Sequence, residues 1–252
     1  MKDADISAVS EWLDRRLNLG AFPKDVSNNG LQVEACRRVG KIICGVDASL
    51  ELFVRAASLG ADLVIVHHGL SWGGNPKRLN GWIGERYGFL FRRGISLYAC
   101  HLPLDAHPEL GNNALLCDRL GLMELEPFFE YDGGKIGFTG HLGEAVHPER
   151  LAERFGRGGE VLFGAIRPSR RIAVVSGGAG IDALTEAAMA GCDLLVTGEM
   201  EHVMHHPAHE LNIGVLALGH YASETGGVQA AAKAVAQEFG LDWEFIDLPT
   251  GL

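Results

Sequence analysis

A chain of 252 residues with 47% apolar side chains can bury a full core, either as one large domain or as two smaller interleaved ones. Its formal charge of −10, from 22 Lys and Arg against 32 Asp and Glu, disfavours nucleic-acid partners, because backbone binding depends on clustered cations that release counterions. No apolar run approaches the roughly 18 residues of a membrane helix and Met1 to Ser7 holds no apolar signal region, so the expectation is a soluble, cytoplasmic protein with no membrane partner.

Ile6, Val9, Leu13 and Leu17 form one apolar stripe, which predicts an amphipathic helix over 6–17, and Asn28-Asn29-Gly30 predicts a turn. Strands rich in Val and Ile then alternate with helices, at 42–46, 62–66 and 95–100 and again at 172–176, 193–197 and 213–218. This alternation is the mark of an α/β fold. Residues 126–168 break the rhythm with Asp132-Gly-Gly and Gly156-Arg-Gly-Gly, and predict a hairpin and a short helix from His147 to Phe155. Trp243 to Leu248 reads as a closing strand. The five cysteines (Cys36, Cys44, Cys100, Cys117, Cys192) are odd in number and never spaced C-x-x-C, so they read as buried reduced thiols.

The two halves repeat one text. Gly60-Ala61-Asp62 leads a strand into His67-His68, and Gly191-Cys192-Asp193 leads one into Thr197-Gly198-Glu199. Downstream, the strand at 95–100 delivers His101 and Asp105, and the strand at 213–218 delivers His220 and Glu224. Each half then starts a helix, at Gly111 and Gly226, that ends in Gly-Leu. The expected architecture is therefore two similar interleaved α/β lobes from an internal duplication, with a metal site in the cleft between them. Lobe one is 1–125, completed by 226–252, and lobe two is 126–225.

Adjacent histidines at a strand's carboxyl end lie where open α/β sheets bind ligands. With Asp105 and Glu224 they form a nitrogen and oxygen donor set without sulfur, which suits Zn, Fe, Mn or Co. Each carboxylate has two oxygens and can bridge two ions about 3.5–4 Å apart, an arrangement that lowers the pKa of water. Glu199 falls opposite His68 by the repeat and is a candidate near the site, or a helix-terminal acid. The run Glu201 to His209 reads as a partly exposed helix face, with a second metal site as the alternative. Lys77 and Arg78, in the loop after Trp72, are candidates for holding a phosphate or simply solvated charges.

HHGLSW at 67–72, HLPLDAHPELGNNALL at 101–116 and GHYASETGG at 219–227 resemble the three signature segments of the dinuclear-metal family of GTP cyclohydrolase I type 2 homologues, also called NGG-interacting-factor-like. The likeness extends to Gly30-Leu31-Gln32-Val33, Thr197-Gly198-Glu199 and Phe245-Ile246-Asp247. It implies two divalent metal ions held by His67, His68, Asp105, His220 and Glu224. His101 stands beside these five as a candidate for orienting a ligand or handling a proton. The resemblance is to the short form, without the domain inserted between the lobes of longer members, and it implies a ring-shaped homohexamer.

Two functions are expected from this donor set. The first is a metal-dependent hydrolase that activates water between two ions, acting on a small molecule or a nucleotide; the family name points to ring opening of GTP. The second is a non-enzymatic metal-handling chaperone or regulatory protein. The sequence holds an inventory for water activation but no recognisable guanine-reading group, and these ligands accept several metals.

Overall fold

The computed structural model describes residues 3–156 and 160–251. Residues 157–159 of the Gly-rich segment, Met1 and Lys2 of the amino-terminal reading, and Leu252 lie outside the described residues. The strands, in chain order, are β1 (Ala4–Asp5), β2 (Gly30–Val33), β3 (Arg38–Val39), β4 (Lys41–Asp47), β5 (Leu63–His68), β6 (Ser96–Ala99), β7 (Met123–Tyr131), β8 (Gly134–Val146), β9 (Val161–Gly164), β10 (Ser169–Val175), β11 (Leu194–Thr197), β12 (Gly214–Ala217) and β13 (Asp242–Phe245). The helices are α1 (Ile6–Arg16), α2 (Leu50–Ser58), α3 (Gly81–Arg93), α4 (Leu102–Ala106), α5 (Asn112–Leu120), α6 (Pro148–Ala152), α7 (Gly180–Met189), α8 (His205–Glu210), α9 (His220–Ser223) and α10 (Thr225–Phe239). The fold is α/β.

The chain forms two compact units, one of residues 1–104 and 227–248, the other of 105–226 and 249–252. The first unit holds a five-stranded sheet of order β13-β4-β5-β6-β2, in which only β2 runs antiparallel to its neighbour. Its central strands β4, β5 and β6 are buried along nearly their whole length, as expected of parallel strands covered on both faces. Ile43, Val64, Val66 and Leu97 from the sheet pack with Leu52 and Phe53 of α2 and Leu90 of α3. Ser49 caps α2 by accepting the Leu52 N–H, which turns the chain directly from β4 into the helix. Gly30 opens β2 where the sequence predicts a turn, because Asn28 and Asn29 spend their side chains on partners far along the chain.

The second unit holds a six-stranded sheet of order β7-β8-β10-β11-β12-β9. Its centre, β10, β11 and β12, is parallel, and β8 and β9 flank it antiparallel. The hairpin expected within 126–168 is β7–β8, turning at Asp132 and Gly133. Ile172, Val174, Leu194, Val196 and Leu216 pack with Leu116, Cys117 and Leu120 of α5.

The same device starts the central strands of both units. Asp62 Oδ2 accepts the amides of Gly40 and Lys41 at 2.7 and 3.0 Å, and Asp193 Oδ2 accepts those of Arg170 and Arg171 at 2.9 and 3.1 Å. The carbonyl of each aspartate then accepts the first amide of the next parallel connection, from Ser96 and from Gly214. One aspartate, through its carboxylate and its own carbonyl, thus ties three neighbouring strands together at their amino ends. The carboxyl ends are left to carry chemistry.

Candidate metal centre

In the first unit, β5 delivers His67 and His68, and His101 follows β6 by two residues. The three imidazoles each offer a ligand nitrogen within 4.8 Å of the others. Ring centroids are 4.6 Å apart for His67 and His68 and 5.1 Å for His67 and His101. His67 is fully buried, and its Nδ1 donates to the Cys100 carbonyl at 2.8 Å. A carbonyl can only accept, so the proton sits on Nδ1 and the lone pair on Nε2. His68 Nδ1 donates to Asp47 Oδ1 at 2.8 Å and His101 Nδ1 to Asp25 Oδ1 at 3.0 Å, so each of these rings also carries a proton on Nδ1.

Asp25 is itself built in. Its side chain is 1% exposed and also accepts from the Ser27 and Leu102 amides and from Asn29 Nδ2. Burial pushes its carboxyl up, but the bonds from His101, Asn29 and Ser27 outweigh burial and hold it below its ordinary value. Trp72 closes on the group edge-on, with its ring 5.1 Å from that of His101 and its indole N–H bonded to the Gly69 carbonyl. Gln32 fixes this turn: its Oε1 accepts from Leu70 and Ser71, and its Nε2 donates to the carbonyls of Asn28 and Ser71.

In the second unit Asp105, on α4, is buried and accepts from Ser176 Oγ and Asn112 Nδ2, both at 2.9 Å. Asn113, fully buried, donates to the Asp105 and Ile136 carbonyls and accepts the Ser176 amide. The single turn α9 places His220 and Glu224 on one side, with Nε2 and Oε1 3.3 Å apart. Glu199 Oε1 accepts from His220 Nδ1 at 2.6 Å. A proton on His220 is stabilised first by Glu224 and then by Glu199, which outweigh burial and raise the imidazole to about 9. Carboxylate oxygens of Asp105 and Glu224 lie within 4.8 Å of each other.

The backbone makes room for this cluster. Gly177 sits at φ +62°, and a Cβ there would meet Glu224 Oε1 at 2.4 Å and His220 Nε2 at 3.3 Å. A Cβ at Gly198 would strike Ser223 Oγ at 2.6 Å. Ser223 Oγ donates to the His220 carbonyl and accepts the Gly177 amide, so it ties the glycine turn to α9.

The residues present fit divalent metal. Two buried carboxylates brought close together concentrate negative charge, which a cation relieves. Histidines whose far nitrogen is held by a carboxylate or carbonyl are the arrangement that orients imidazole toward a metal.

Of the residues singled out from the sequence, His67, His68 and His101 come together in one unit and Asp105, His220 and Glu224 in the other. Glu199 is the partner of His220 rather than a helix-terminal acid. Lys77 and Arg78 are exposed on their loop, and the histidine run 202–209 is a partly exposed face. Sequence reasoning missed Asp25, Asp47, Gln32, Asn112, Asn113 and Ser176. The available signals were Val46-Asp47 at a strand end, the position that carries ligands elsewhere in the chain, and the segments 30–33 and 101–116 of the resemblance, which contain Gln32, Asn112 and Asn113.

The DUF34/NIF3 (NGG1p interacting factor 3) family matches residues 4–250. A protein of Archaeoglobus fulgidus named GTP cyclohydrolase 1 type 2 homolog is 45% identical over 248 residues, covering 98% of this chain and 100% of its own. The protein of the same name in Deinococcus radiodurans is 41% identical over 244 residues, covering 96% and 92%. Among solved structures, TTHA1606 of Thermus thermophilus superposes with a TM-score of 0.85 at 39% identity, covering 99% of this chain and 100% of that one. The protein ybgI, described as of unknown function, superposes at 0.90 with 36% identity and the same coverage. On these matches, the chain belongs to the DUF34/NIF3 family.

Proposed function

We propose that the protein is a divalent-metal-dependent hydrolase whose ligands are His67, His68, Asp105, His220 and Glu224, with Asp105 and Glu224 shared between two ions. The observation that carries the reading is the set of fixed tautomers. His67 and His68 each engage Nδ1 with a carbonyl or carboxylate, which turns Nε2 toward the site, and His220, whose Nδ1 is held by Glu199, turns Nε2 toward Glu224, where a bound cation would replace the proton the two share. When bound, such ions lower the pKa of water and withdraw electron density from a substrate oxygen. The chain's own residues do the rest. Asp47 and Glu199 hold the imidazoles in place and raise their basicity, and Ser176 and Asn112 hold Asp105. His101, held by the buried Asp25, is proposed to keep Nε2 available to accept a proton beside His67 and His68.

The name shared by the relatives brings GTP ring opening forward as the first substrate to test. The ring hexamer belongs to the same proposal, and light scattering of the purified chain reads it. The test is elemental analysis of protein purified without chelator, followed by phosphatase, nucleotidase and GTP ring-opening assays with the identified metal restored. About two ions per chain with turnover supports the hydrolase. Two ions without turnover transfers the reading to a non-enzymatic metal-handling or regulatory role with the same ligands, and a chain without bound metal overturns both. Replacing His101 by Gln is expected to keep metal content while reducing turnover, and loss of metal in that variant would make it a ligand instead.

A further inference from the structure

We propose that His205 and His209 form a surface clamp for a divalent late transition metal, independent of the ligand set above and sharing no residue with it. The turn at His202–Met204 runs directly into α8, so His202, His205, His206 and His209 fall within two short successive helical segments. Met204 and Ala208 are fully buried, and they fix the rotational setting of this stretch. His202, His206 and His209 are exposed as a result, and His205 is half-buried at the margin.

Residues 205 and 209 are one helical turn apart, the spacing at which side chains are neighbours. Their ring centroids are 5.0 Å apart, tilted at 57°. Phe163 of β9 lies parallel to the His205 ring, at 9° and 6.3 Å between centroids, and presents His205 from a fixed side. The His206 ring stands edge-on to His205 at 5.2 Å. Two imidazoles on successive turns chelate one ion without backbone movement, and solvent completes the coordination at an exposed face.

The donor chemistry sets the class of metal. This cluster offers imidazole nitrogen, whereas the ligand set above includes the buried carboxylates of Asp105 and Glu224. Nitrogen donors with water favour Cu²⁺, Ni²⁺ and Zn²⁺, and leave Mn²⁺, Mg²⁺ and Ca²⁺ to carboxylate-rich sites. The clamp is thus expected to take up Ni²⁺ or Cu²⁺ and to ignore Mn²⁺.

The experiment uses the untagged full chain with its resident metal, titrated with Ni²⁺ at neutral pH, with bound Ni²⁺ read by calorimetry and by elemental analysis after desalting. One equivalent should bind to the unsubstituted chain, be lost in His209→Ala and in His205→Gln, and persist in His202→Ala. His209 is exposed, so its replacement leaves packing intact. Unchanged Ni²⁺ uptake in His209→Ala would overturn the clamp, as would uptake abolished in His202→Ala. Cu²⁺ gives a second reading: its paramagnetic resonance should show coupling to imidazole nitrogen, and persistence of that pattern in the His205→Gln, His209→Ala double variant would equally refute the assignment.

Discussion

His67, His68, His101 and His220 share one feature that a list of donors does not convey: each has its Nδ1 proton spoken for. The partners differ in strength. Cys100 offers a neutral carbonyl, while Asp47 and Glu199 offer carboxylates that are 42% and 44% exposed. Loss of such a partner typically costs about 10–100-fold in metal affinity. Asp47→Ala and Glu199→Ala are therefore expected to weaken metal binding by about that factor with circular dichroism unchanged. Equal metal retention through a chelator titration would show that these carboxylates do not orient the rings. Asp193 makes a different kind of prediction, about pH. Burial raises its carboxyl, yet the amides of Arg170 and Arg171 and the Arg167 guanidinium outweigh burial and leave it below the ordinary value of 3.8. A carboxyl depressed in the folded state adds stability above its unfolded value, and that contribution is lost as pH falls through the folded value. Asp193→Asn should accordingly lower the denaturation midpoint near pH 7, and the gap from the unsubstituted protein should close below about pH 3.8. A gap that stayed constant down to strong acid would mean that Asp193 acts by shape alone.

At the scale of elements, the strand ends were legible and what supports them was not. The runs ending in His67-His68 and Thr197-Gly198-Glu199 are apolar and short, and a buried parallel strand needs only that local pattern. The hairpin and the stripe of α1 were equally local. By contrast, Asp25 meets His101 across 76 positions, Ser176 meets Asp105 across 71, and Gln32 clasps Ser71 across 39. Side chains of these types read as turns or solvated polar positions until the fold brings their partners to them. The glycine turn between β10 and α7 shows the same limit: nothing local in its sequence tells that Gly177 gives close passage beside Glu224 and His220. Gly177→Ala places a Cβ 2.4 Å from Glu224 Oε1 at a left-handed φ, so Glu224 must move or the turn must strain. The expected result is loss of metal with the rest of the sheet intact, read by elemental analysis beside circular dichroism. Full metal content in that variant would show that the turn yields without disturbing Glu224.

Across the whole molecule, two bulk properties follow from the same burial. Cys44 and Cys117 are pushed up to about 12 by burial, and Cys100 and Cys192 are also buried, which agrees with the reading of the cysteines as reduced thiols packed as small hydrophobes. Only Cys36 is partly accessible, and it too is raised by burial, so a thiol reagent should modify the native chain slowly and the denatured chain fully. The second property is linkage between metal and stability. An ion that binds only the folded chain stabilises it by about 2.7 kcal/mol when present at a hundred times its dissociation constant. For a chain of this size each kcal/mol moves the melting temperature by about 2–4 °C, so stripping one such ion should lower it by about 5–10 °C. Chelator already saturated with the native metal should do nothing, and readdition of that metal to the stripped chain should restore the transition. Glu224→Gln, proposed to lose at least one ion, should start from the lower melting temperature and respond less to chelator than the unsubstituted chain. An unsubstituted chain whose melting is indifferent to chelator, while its metal is shown to leave, would mean that the buried carboxylates of Asp105 and Glu224 are satisfied by the protein alone. The ligand assignment would then fail even though the fold and the family stand.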